Sequence, residues 1–302
     1  MKTSRRDALK LLGAAAGTLF GLPGAAAASS MLTRPIPKSG EALPVIGMGT
    51  WQTFDVGSDE SARAPLVEVL RLFFHAGGRV IDSSPMYGSS EEVVGDLLAQ
   101  LGAPQPFLAT KVWTTGRDAG IEQMEASLQK MRARRMDLLQ VHNLVDWRTH
   151  LETLRRWKEE GRVRYFGVTH YLTSAFDELE RVIRDSSIDF VQLPYSIALR
   201  EAEKRLLPAA AERRVAVIVN RPFEGGSLFQ QVRGRALPEW AREFDCESWA
   251  QYFLKFLLGH PAVTCLIPAT ANSRHMQDNL RAGFGRLPDE QTRTRMLAHL
   301  EL

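Results

Sequence analysis

Hydrophobic and polar positions alternate along the chain in two rhythms after Pro37. Short apolar runs that end in polar residues are typical of buried strands, and the stretches between them carry apolar residues at helical spacing. Their separation, mostly about 25–30 residues, suits a strand, a helix and two loops. The predicted strands lie at 45–50, 79–83, 107–112, 137–142, 165–169, 190–194, 215–220 and 264–269.

Three of the intervening stretches have clear apolar stripes, as amphipathic helices do. The stripes are Val93, Val94, Leu97, Leu98 and Leu101; Ile121, Met124, Leu128 and Met131; and Leu151, Leu154 and Trp157. Gly161 follows the third stripe and is expected to end that helix. The run "RARR" at 132–135 is interpreted as a solvated helix face.

Eight β-α units in series predict an α/β fold, a single closed parallel (β/α)8 TIM barrel. An open doubly wound sheet is the competing architecture, and it needs a Gly-rich phosphate turn after its first strand. The segment "GMGTWQ" at 47–52 has Trp51 where that turn needs conformational freedom, so we reject it. Before the first strand, Ser39-Gly40 predicts the turn of an N-terminal β-hairpin.

Residues 1–30 do not follow this rhythm and are predicted to be a signal peptide of the twin-arginine type. Arg5-Arg6 precede a Gly- and Ala-rich apolar stretch, and Ala25 to Ala27 offer a small-residue cleavage site. We therefore expect a periplasmic or otherwise exported protein that uses the twin-arginine export machinery, with residues 31–302 forming the barrel. A membrane anchor is the alternative, since about 18 uncharged residues approach a span, but Pro23 disfavours it. An uncleaved signal also stays open.

Composition and charge limit the partners. The chain of 302 residues is 44% hydrophobic and 24% charged, which is ordinary for a globular protein. The net charge of +3 (38 minus 35) resides in the first thirty residues, which leaves the remainder near zero (34 minus 34). This balance argues against a nucleic-acid partner, and we expect a monomer that meets the membrane only through its signal segment. Cys246 and Cys265 have no metal-type spacing, and their pairing in an oxidising compartment stays open.

Four candidate side chains converge on one end of the predicted barrel, because sites form where barrel strands end. Asp82, Lys111 and His142 end the second, third and fourth predicted strands, and Tyr87 lies in the loop after Asp82. Neighbouring strands are about 5 Å apart, so these residues are expected to share the barrel mouth. Each has an ordinary structural explanation when taken alone, but the group is harder to dismiss.

The chemistry of this group is that of a proton donor. A phenol has a reference pKa of about 10, and an adjacent ammonium, Lys111, is expected to lower the pKa of Tyr87. Asp82 would hold the ammonium, and Tyr87 would give its proton to an oxygen that becomes an alkoxide. His142 would orient the carbonyl or help in the proton transfer. The hydride has to come from a cofactor, normally a nicotinamide.

The chain resembles the aldo-keto reductase family from about Leu43 to Leu280. The motifs are "GMGTW", "VIDSSPMYGSSE", "FLATKVW", "MDLLQVHN", "EEGRVRYFGVTHY", "DFVQLPYS" and "IPATANSRHMQDNL". The resemblance implies a reductase of small aldehydes or ketones that binds extended NADP(H), favoured over NAD(H), without a Rossmann domain. It implies Asp82, Tyr87, Lys111 and His142 as catalytic residues, with Tyr87 as general acid. The cofactor residues that it implies are Gly49, Thr50, Trp51, Thr169, His170, Gln192, Thr270, Arg274 and Asn279.

The chain departs from the family pattern around the nicotinamide. His170 stands where the family usually has Asn, and Asn220 stands where a tyrosine usually stacks on the nicotinamide ring. Arg221 is expected to reach the pyrophosphate or to stack through its guanidinium, and Phe223 to cover part of the site. A basic residue common in the family is replaced by Ala269, so Arg274 is the candidate for a 2′-phosphate.

The substrate pocket is expected to be open, because the segment after Leu280 is short where long family tails wall the pocket. Trp51, Phe54 and Trp113 are expected to line it, which suits apolar carbonyl compounds; ordinary packing is the alternative for these aromatics. If the protein is exported, we expect it to be loaded with cofactor beforehand.

Two other functions stay open. The first is a non-catalytic barrel that holds a nucleotide for a partner protein, which the altered 220–226 loop favours slightly. The second is a different barrel enzyme that binds phosphate through "FEGGS" at 223–227, but this leaves Asp82, Tyr87 and Lys111 without a role.

Overall fold

The structure is a computed structural model that describes residues 30–102 and 105–301. The signal peptide expected at 1–30 therefore lies outside the described residues, except for Ser30. Within the described part, no helix is both long enough and apolar enough to cross a membrane. The same residues contain no cluster of three His, Cys, Asp or Glu side chains that could hold a metal ion.

In the described ranges, ten strands form a short hairpin and one large parallel sheet. The hairpin is β1 (Thr33–Pro35) and β2 (Ala42–Pro44), which pair antiparallel around the predicted Ser39-Gly40 turn. The sheet contains β3 (Met48–Gly49), β4 (Val80–Asp82), β5 (Phe107–Val112), β6 (Met136–His142), β7 (Val163–Thr169), β8 (Phe190–Pro194), β9 (Ala216–Asn220) and β10 (Val263–Leu266).

The sheet runs in chain order from β3 to β10, and the last strand returns to the first. Leu266 N–H donates to Val45 O at 2.9 Å, and Gly47 N–H donates to Leu266 O at 2.7 Å. Parallel bridges join Ile46 to Leu266 and Gly49 to Ala269. These contacts close the barrel, which confirms the predicted fold class and hairpin. The first predicted strand, 45–50, is divided between this seam and the two-residue β3.

Helices alternate with the barrel strands as predicted. They are α1 (Glu60–His75), α2 (Ser90–Leu101), α3 (Arg117–Lys130), α4 (Trp147–Glu159), α5 (Phe176–Asp185), α6 (Glu201–Lys204), α7 (Leu206–Glu212), α8 (Ser227–Gln231), α9 (Trp249–Leu258), α10 (Ser273–Arg281) and α11 (Glu290–Leu300).

Two helix ends test the sequence-based predictions. Gly161 follows α4 with a φ of 74°, so it ends that helix as predicted. The interpretation of residues 132–135 as a helix face was wrong, because α3 ends at Lys130 and Arg132 has a φ of 52°. The chain must turn there so that Met136 can begin β6, and the arginines are simply exposed in this turn.

The core has two layers. Most buried apolar side chains lie between the sheet and the helices. A smaller cluster fills the barrel interior, where Ile36 and Leu43 of the hairpin pack with Val80, Phe107 and Phe190 from the starts of the strands. The hairpin therefore forms the floor of the barrel. Cys246 and Cys265 are both buried and free, so the structure contains no bridge between them.

Candidate active site

The barrel strands alternate between inward and outward residues, and this period of two places polar groups at the mouth. On β5, Phe107 and Ala109 belong to the interior cluster, and Lys111 is the next inward residue. On β6, Leu138 is inward and is followed two and four residues later by Gln140 and His142. The interior is thus apolar near the floor and polar where the strands end.

Lys111 is the electrostatic centre of the mouth. Its ammonium donates to Asp82 Oδ2 at 2.6 Å and to the Ser83 carbonyl at 2.6 Å, and its side chain is completely buried. Burial is the largest single influence and lowers the pKa of Lys111, but the charges and hydrogen bonds of Asp82 and Tyr87 together outweigh it, so the pKa of Lys111 is raised. Lys111 is therefore a fixed positive charge.

Asp82 is held from both of its oxygens. While Oδ2 binds Lys111, Oδ1 accepts the side-chain amides of Gln140 at 3.2 Å and Gln192 at 3.0 Å. The carboxylate is nearly inaccessible to solvent. A buried carboxylate with a full set of donors has one orientation, and it fixes Lys111 in turn.

Tyr87 lies over Lys111, as the sequence predicts. The Lys111 Nζ atom is 5.1 Å from the centre of the Tyr87 ring, and the phenol is half-buried. The expected direction of the pKa shift was wrong: burial raises the pKa of Tyr87, and the charge of Lys111 offsets only part of this rise. The phenol is therefore protonated near neutral pH, which is the form that a proton donor requires.

The loop that carries Tyr87 is clamped by Asp55, a residue that the sequence analysis did not single out. Asp55 Oδ1 accepts the Ser89 backbone N–H at 2.9 Å and the Ser89 hydroxyl at 2.8 Å. Gly88 has a φ of 58°, and a Cβ there would lie 2.2 Å from Asp55 Oδ1. Only glycine fits between Tyr87 and this clamp.

His142 completes the group of four. Its ring meets the Tyr87 ring edge to face, with 5.9 Å between centres. Burial, followed by the charge of Lys111, lowers the pKa of His142 to about 3, so the imidazole is neutral at physiological pH. Its Nδ1 lies 3.1 Å from the Ser84 hydroxyl, a contact that nothing in the sequence pattern indicated.

The side chains expected to hold a nicotinamide carboxamide form their own network. The Oε1 atom of Gln192 accepts the Thr169 hydroxyl at 3.0 Å and the Asn220 amide at 3.3 Å. Asn220 also donates to the His170 carbonyl at 3.2 Å. The Asn220 Oδ1 atom is buried and has no partner among the described residues. Asn220 is therefore bound to the site through its amide nitrogen, Nδ2.

The remaining cofactor candidates lie on both sides of the barrel seam. Gly49, Thr50 and Trp51 follow the seam on one side, and Thr50 bonds the Ser83 hydroxyl at 2.9 Å. On the other side, Pro65 and residues 270–274 line a cavity of about 570 Å³. Arg274 is exposed at the start of α10, whereas Asn279 is buried. The structure thus places the exposed Arg274 and the mostly buried Thr270 in the lining of this cavity, and it does not place Asn279 there.

The loop after β9 contains two of the predicted cofactor residues, Arg221 and Phe223, and the segment considered for phosphate binding. Arg221 is exposed with a φ of 51°, and Phe223 packs against Phe229 with 4.9 Å between ring centres. Within "FEGGS", Glu224 accepts a hydrogen bond from the Ser196 hydroxyl. A carboxylate in this loop disfavours an anion-binding role for it.

Exposed apolar side chains gather at the mouth. All six large hydrophobic residues that are exposed in the described part follow barrel strands: Trp51, Met86, Trp113, Tyr171, Leu172 and Phe229. Phe54, which was expected to line the pocket, does not join them. Its side chain is completely buried in the outer core, between the sheet and the helices.

The family model described as "Aldo/keto reductase family" matches residues 45–295 of the chain. The methylglyoxal reductase YeaE of Escherichia coli (strain K12) is 28% identical over 257 residues, which cover 82% of this chain and 89% of that protein. An aldo-keto reductase of Mycobacterium sp. (strain JLS) is 32% identical over 253 residues, which cover 80% of this chain and 83% of that protein.

The fold is also that of solved structures in this family. An aldo-keto reductase from Klebsiella pneumoniae, solved in complex with NADPH, is 24% identical and superposes with a TM-score of 0.73 over 91% of this chain and 95% of that chain. This likeness confirms the architecture. Because the family model spans most of the sequence, the chain belongs to the aldo/keto reductase family.

Proposed function

We propose that the protein is an NADP(H)-dependent oxidoreductase that reduces aldehydes or ketones to alcohols, with Tyr87 as general acid. The observation that carries this proposal is the buried Asp82–Lys111 ion pair beneath the Tyr87 ring. A protein that only bound a nucleotide would have no use for a buried cation under a phenol, because burying both charges is costly.

Each residue of the mouth has a role in this chemistry. The Tyr87 hydroxyl delivers its proton to the carbonyl oxygen of the substrate as negative charge develops there. Lys111 stabilises the phenolate that remains, and Asp82 keeps the ammonium charged and in place. His142, which is neutral, donates a hydrogen bond to the same carbonyl oxygen. A bound nicotinamide would supply the hydride.

The residues at the rim fit a nicotinamide. The buried Asn220 Oδ1 atom has no partner in the described part of the chain, and an acceptor of this kind matches the amine of a carboxamide. Thr169, His170 and Gln192 surround Asn220 and would hold the ring end. Gly49, Thr50, Trp51, Arg221 and Phe223 would contribute further contacts to the cofactor. Asn279, which is buried like Thr169 and Gln192, would contribute to the adenosine end.

NADP(H) is proposed over NAD(H). Arg274 is exposed beside Thr270 at the start of α10, where a guanidinium is suited to a 2′-phosphate. The Klebsiella pneumoniae structure, whose fold this chain shares, contains NADPH. Both observations favour the phosphorylated nucleotide.

The proposed substrates are apolar carbonyl compounds. Trp51 and Trp113 are both about half exposed at the mouth and offer flat apolar surfaces to a substrate. The Escherichia coli relative is named for methylglyoxal, which is smaller and more polar, so methylglyoxal belongs in the first substrate panel beside benzaldehyde and an aliphatic aldehyde.

The test is NADPH oxidation with this panel, for the parent and for Tyr87→Phe. We expect measurable turnover in the parent and a loss of at least about 100-fold in kcat for the variant. Fluorescence titration should give both proteins a similar Kd for NADPH. Equal turnover by the two proteins would refute the assignment of Tyr87.

A non-catalytic nucleotide-holding barrel is the second candidate, and Asn220 is the observation in its favour. The amide replaces a stacking ring and ties Gln192 into a protein network. Tight NADPH binding without turnover of any carbonyl by the parent would support this function instead.

The proposal extends to export. We propose that residues 1–30 direct the protein through the twin-arginine machinery with its cofactor already bound. Replacing Arg5 and Arg6 together by lysine should move the protein from the periplasmic fraction to the cytoplasm. Nucleotide should be detectable in protein that is gently purified from the periplasm, and its absence would contradict loading before export.

A further inference from the structure

Ser84 connects two parts of the proposed catalytic group. The residue is completely buried in the loop after β4. Its carbonyl accepts the Tyr87 backbone N–H at 3.0 Å, and its hydroxyl lies 3.1 Å from His142 Nδ1. One side chain therefore contacts the histidine while its own backbone shapes the turn that carries the tyrosine.

We propose that Ser84 is a positioning residue that holds His142 as the Nε2–H tautomer, with the remaining N–H directed towards the barrel mouth. This proposal rests on the proposed function for its catalytic consequence, but the tautomer itself can be measured without cofactor or substrate.

The hydrogen-bonding capacity of the hydroxyl supports this tautomer. A serine hydroxyl has one proton to donate and two lone pairs. The Met86 backbone N–H points at this oxygen from 3.4 Å and occupies an acceptor position. The hydroxyl can then donate its proton to His142 Nδ1, and this nitrogen must be unprotonated to accept the hydrogen bond. In a neutral imidazole, a bare Nδ1 places the single proton on Nε2.

The tautomer of His142 determines whether its ring presents a hydrogen-bond donor or a lone pair to the barrel mouth. With the proton on Nε2, His142 presents a donor next to the Tyr87 ring, and both groups can bind the same carbonyl oxygen. With the proton on Nδ1, His142 would instead present a lone pair to that oxygen and repel it. Ser84 thus selects the tautomer that is useful for reducing a carbonyl.

His150 provides an internal reference for the measurement. Its Nε2 lies 2.7 Å from the Thr114 carbonyl, which can only accept, so His150 must also carry its proton on Nε2. Among the hydrogen bonds of the described residues, none joins His150 to Ser84, so Ser84 does not determine the protonation of His150.

The experiment is a long-range ¹H–¹⁵N correlation spectrum of the full-length protein labelled with [¹⁵N]histidine, recorded without nucleotide at neutral pH. In the parent, the Nδ1 of His142 should have the shift of an unprotonated nitrogen, and the Nε2 of His150 should have the shift of a protonated one. Ser84→Ala should move the His142 shifts towards a mixture of tautomers and leave those of His150 unchanged. Ser84→Thr, which keeps the hydroxyl, should restore the parent pattern.

Two results would overturn the proposal: a proton on Nδ1 of His142 in the parent, or identical His142 shifts in Ser84→Ala. In turnover assays, Ser84→Ala should lower kcat about fivefold, the value of one hydrogen bond, with an unchanged KM for NADPH. If the parent spectrum is as expected but no carbonyl is reduced, the proposed function fails while the role of Ser84 in fixing the tautomer stands.

Discussion

Lys111 and Asp82 form the one ion pair of the described residues in which both side chains are almost completely buried. Their atoms are 2.6 Å apart, whereas in every other pair at least one partner is appreciably exposed. A pair of this kind contributes little net stability, but the loss of one member leaves the other charged and desolvated.

Replacement of Lys111 by methionine should therefore destabilise the protein by about 3–5 kcal/mol, because Asp82 loses its counter-ion. Adding Asp82→Asn should recover much of this stability but none of the activity. Urea denaturation of the two single variants and the double variant measures the coupling. Arg117→Met removes an exposed pair with Glu152 and should leave stability unchanged. Additive losses in the double variant would contradict the arrangement.

The low pKa of His142 makes stability depend on pH in a defined window. The folded protein holds this imidazole at a pKa of about 3, against 6.5 for the free side chain. The unfolded chain therefore binds the proton first as pH falls, so folded stability decreases below about pH 6.5 and levels off below about pH 3.

When the pH is lowered from 7 to 5, the free energy of unfolding of the parent should fall by about 2 kcal/mol more than that of His142→Gln. Urea denaturation of both proteins at the two pH values gives this difference. Parallel losses in parent and variant would show that His142 is not held neutral by its surroundings.

Gly88 should be the more sensitive of two glycines with the same backbone conformation. Gly88→Ala places a methyl group against Asp55, whereas a methyl group at Gly102, which has a φ of 55°, would have no atom of the described residues within 4 Å beyond its chain neighbours. Both substitutions should cost about 1 kcal/mol for the left-handed conformation. Gly88→Ala alone should also lower kcat at least about tenfold, because the clamp that positions Tyr87 is displaced. The same kcat in both variants would show that the loop tolerates the displacement.

Arg274 should determine nucleotide preference. Arg274→Ala is expected to raise the KM for NADPH by about 10- to 100-fold, the value of a hydrogen bond to a charged group, and to leave the KM for NADH unchanged. Arg281→Ala, at the other end of α10 and paired with Glu247, serves as the control. An equal loss with both nucleotides would place the role of Arg274 elsewhere.

The part of the site that lies at the ends of the strands could be predicted from the sequence. Asp82, Lys111 and His142 each end an apolar run, and the carboxyl ends of parallel barrel strands necessarily meet. Their convergence was therefore predictable, as was the hairpin from Ser39-Gly40. Tyr87 lies in the loop directly after Asp82, so its place at the barrel mouth could be expected from the sequence as well.

The contacts of Ser84, Asp55 and Asn220 could not be predicted, because each depends on how loops approach one another across different strands. The direction of the Tyr87 pKa shift was missed for a related reason. Charges can be identified in a sequence, but the degree of burial, which here outweighs Lys111, depends on the finished packing.

The hairpin that closes the floor of the barrel also determines how the site is reached. Ile36 and Leu43 pack against the starts of the strands. In the described part of the molecule, small molecules can therefore reach Lys111 only through the mouth. In the proposed function, the hydride-donating cofactor and the carbonyl substrate would then share one opening. Under this function, the molecule that binds deeper would have to enter first and leave last, which predicts an ordered mechanism in steady-state kinetics.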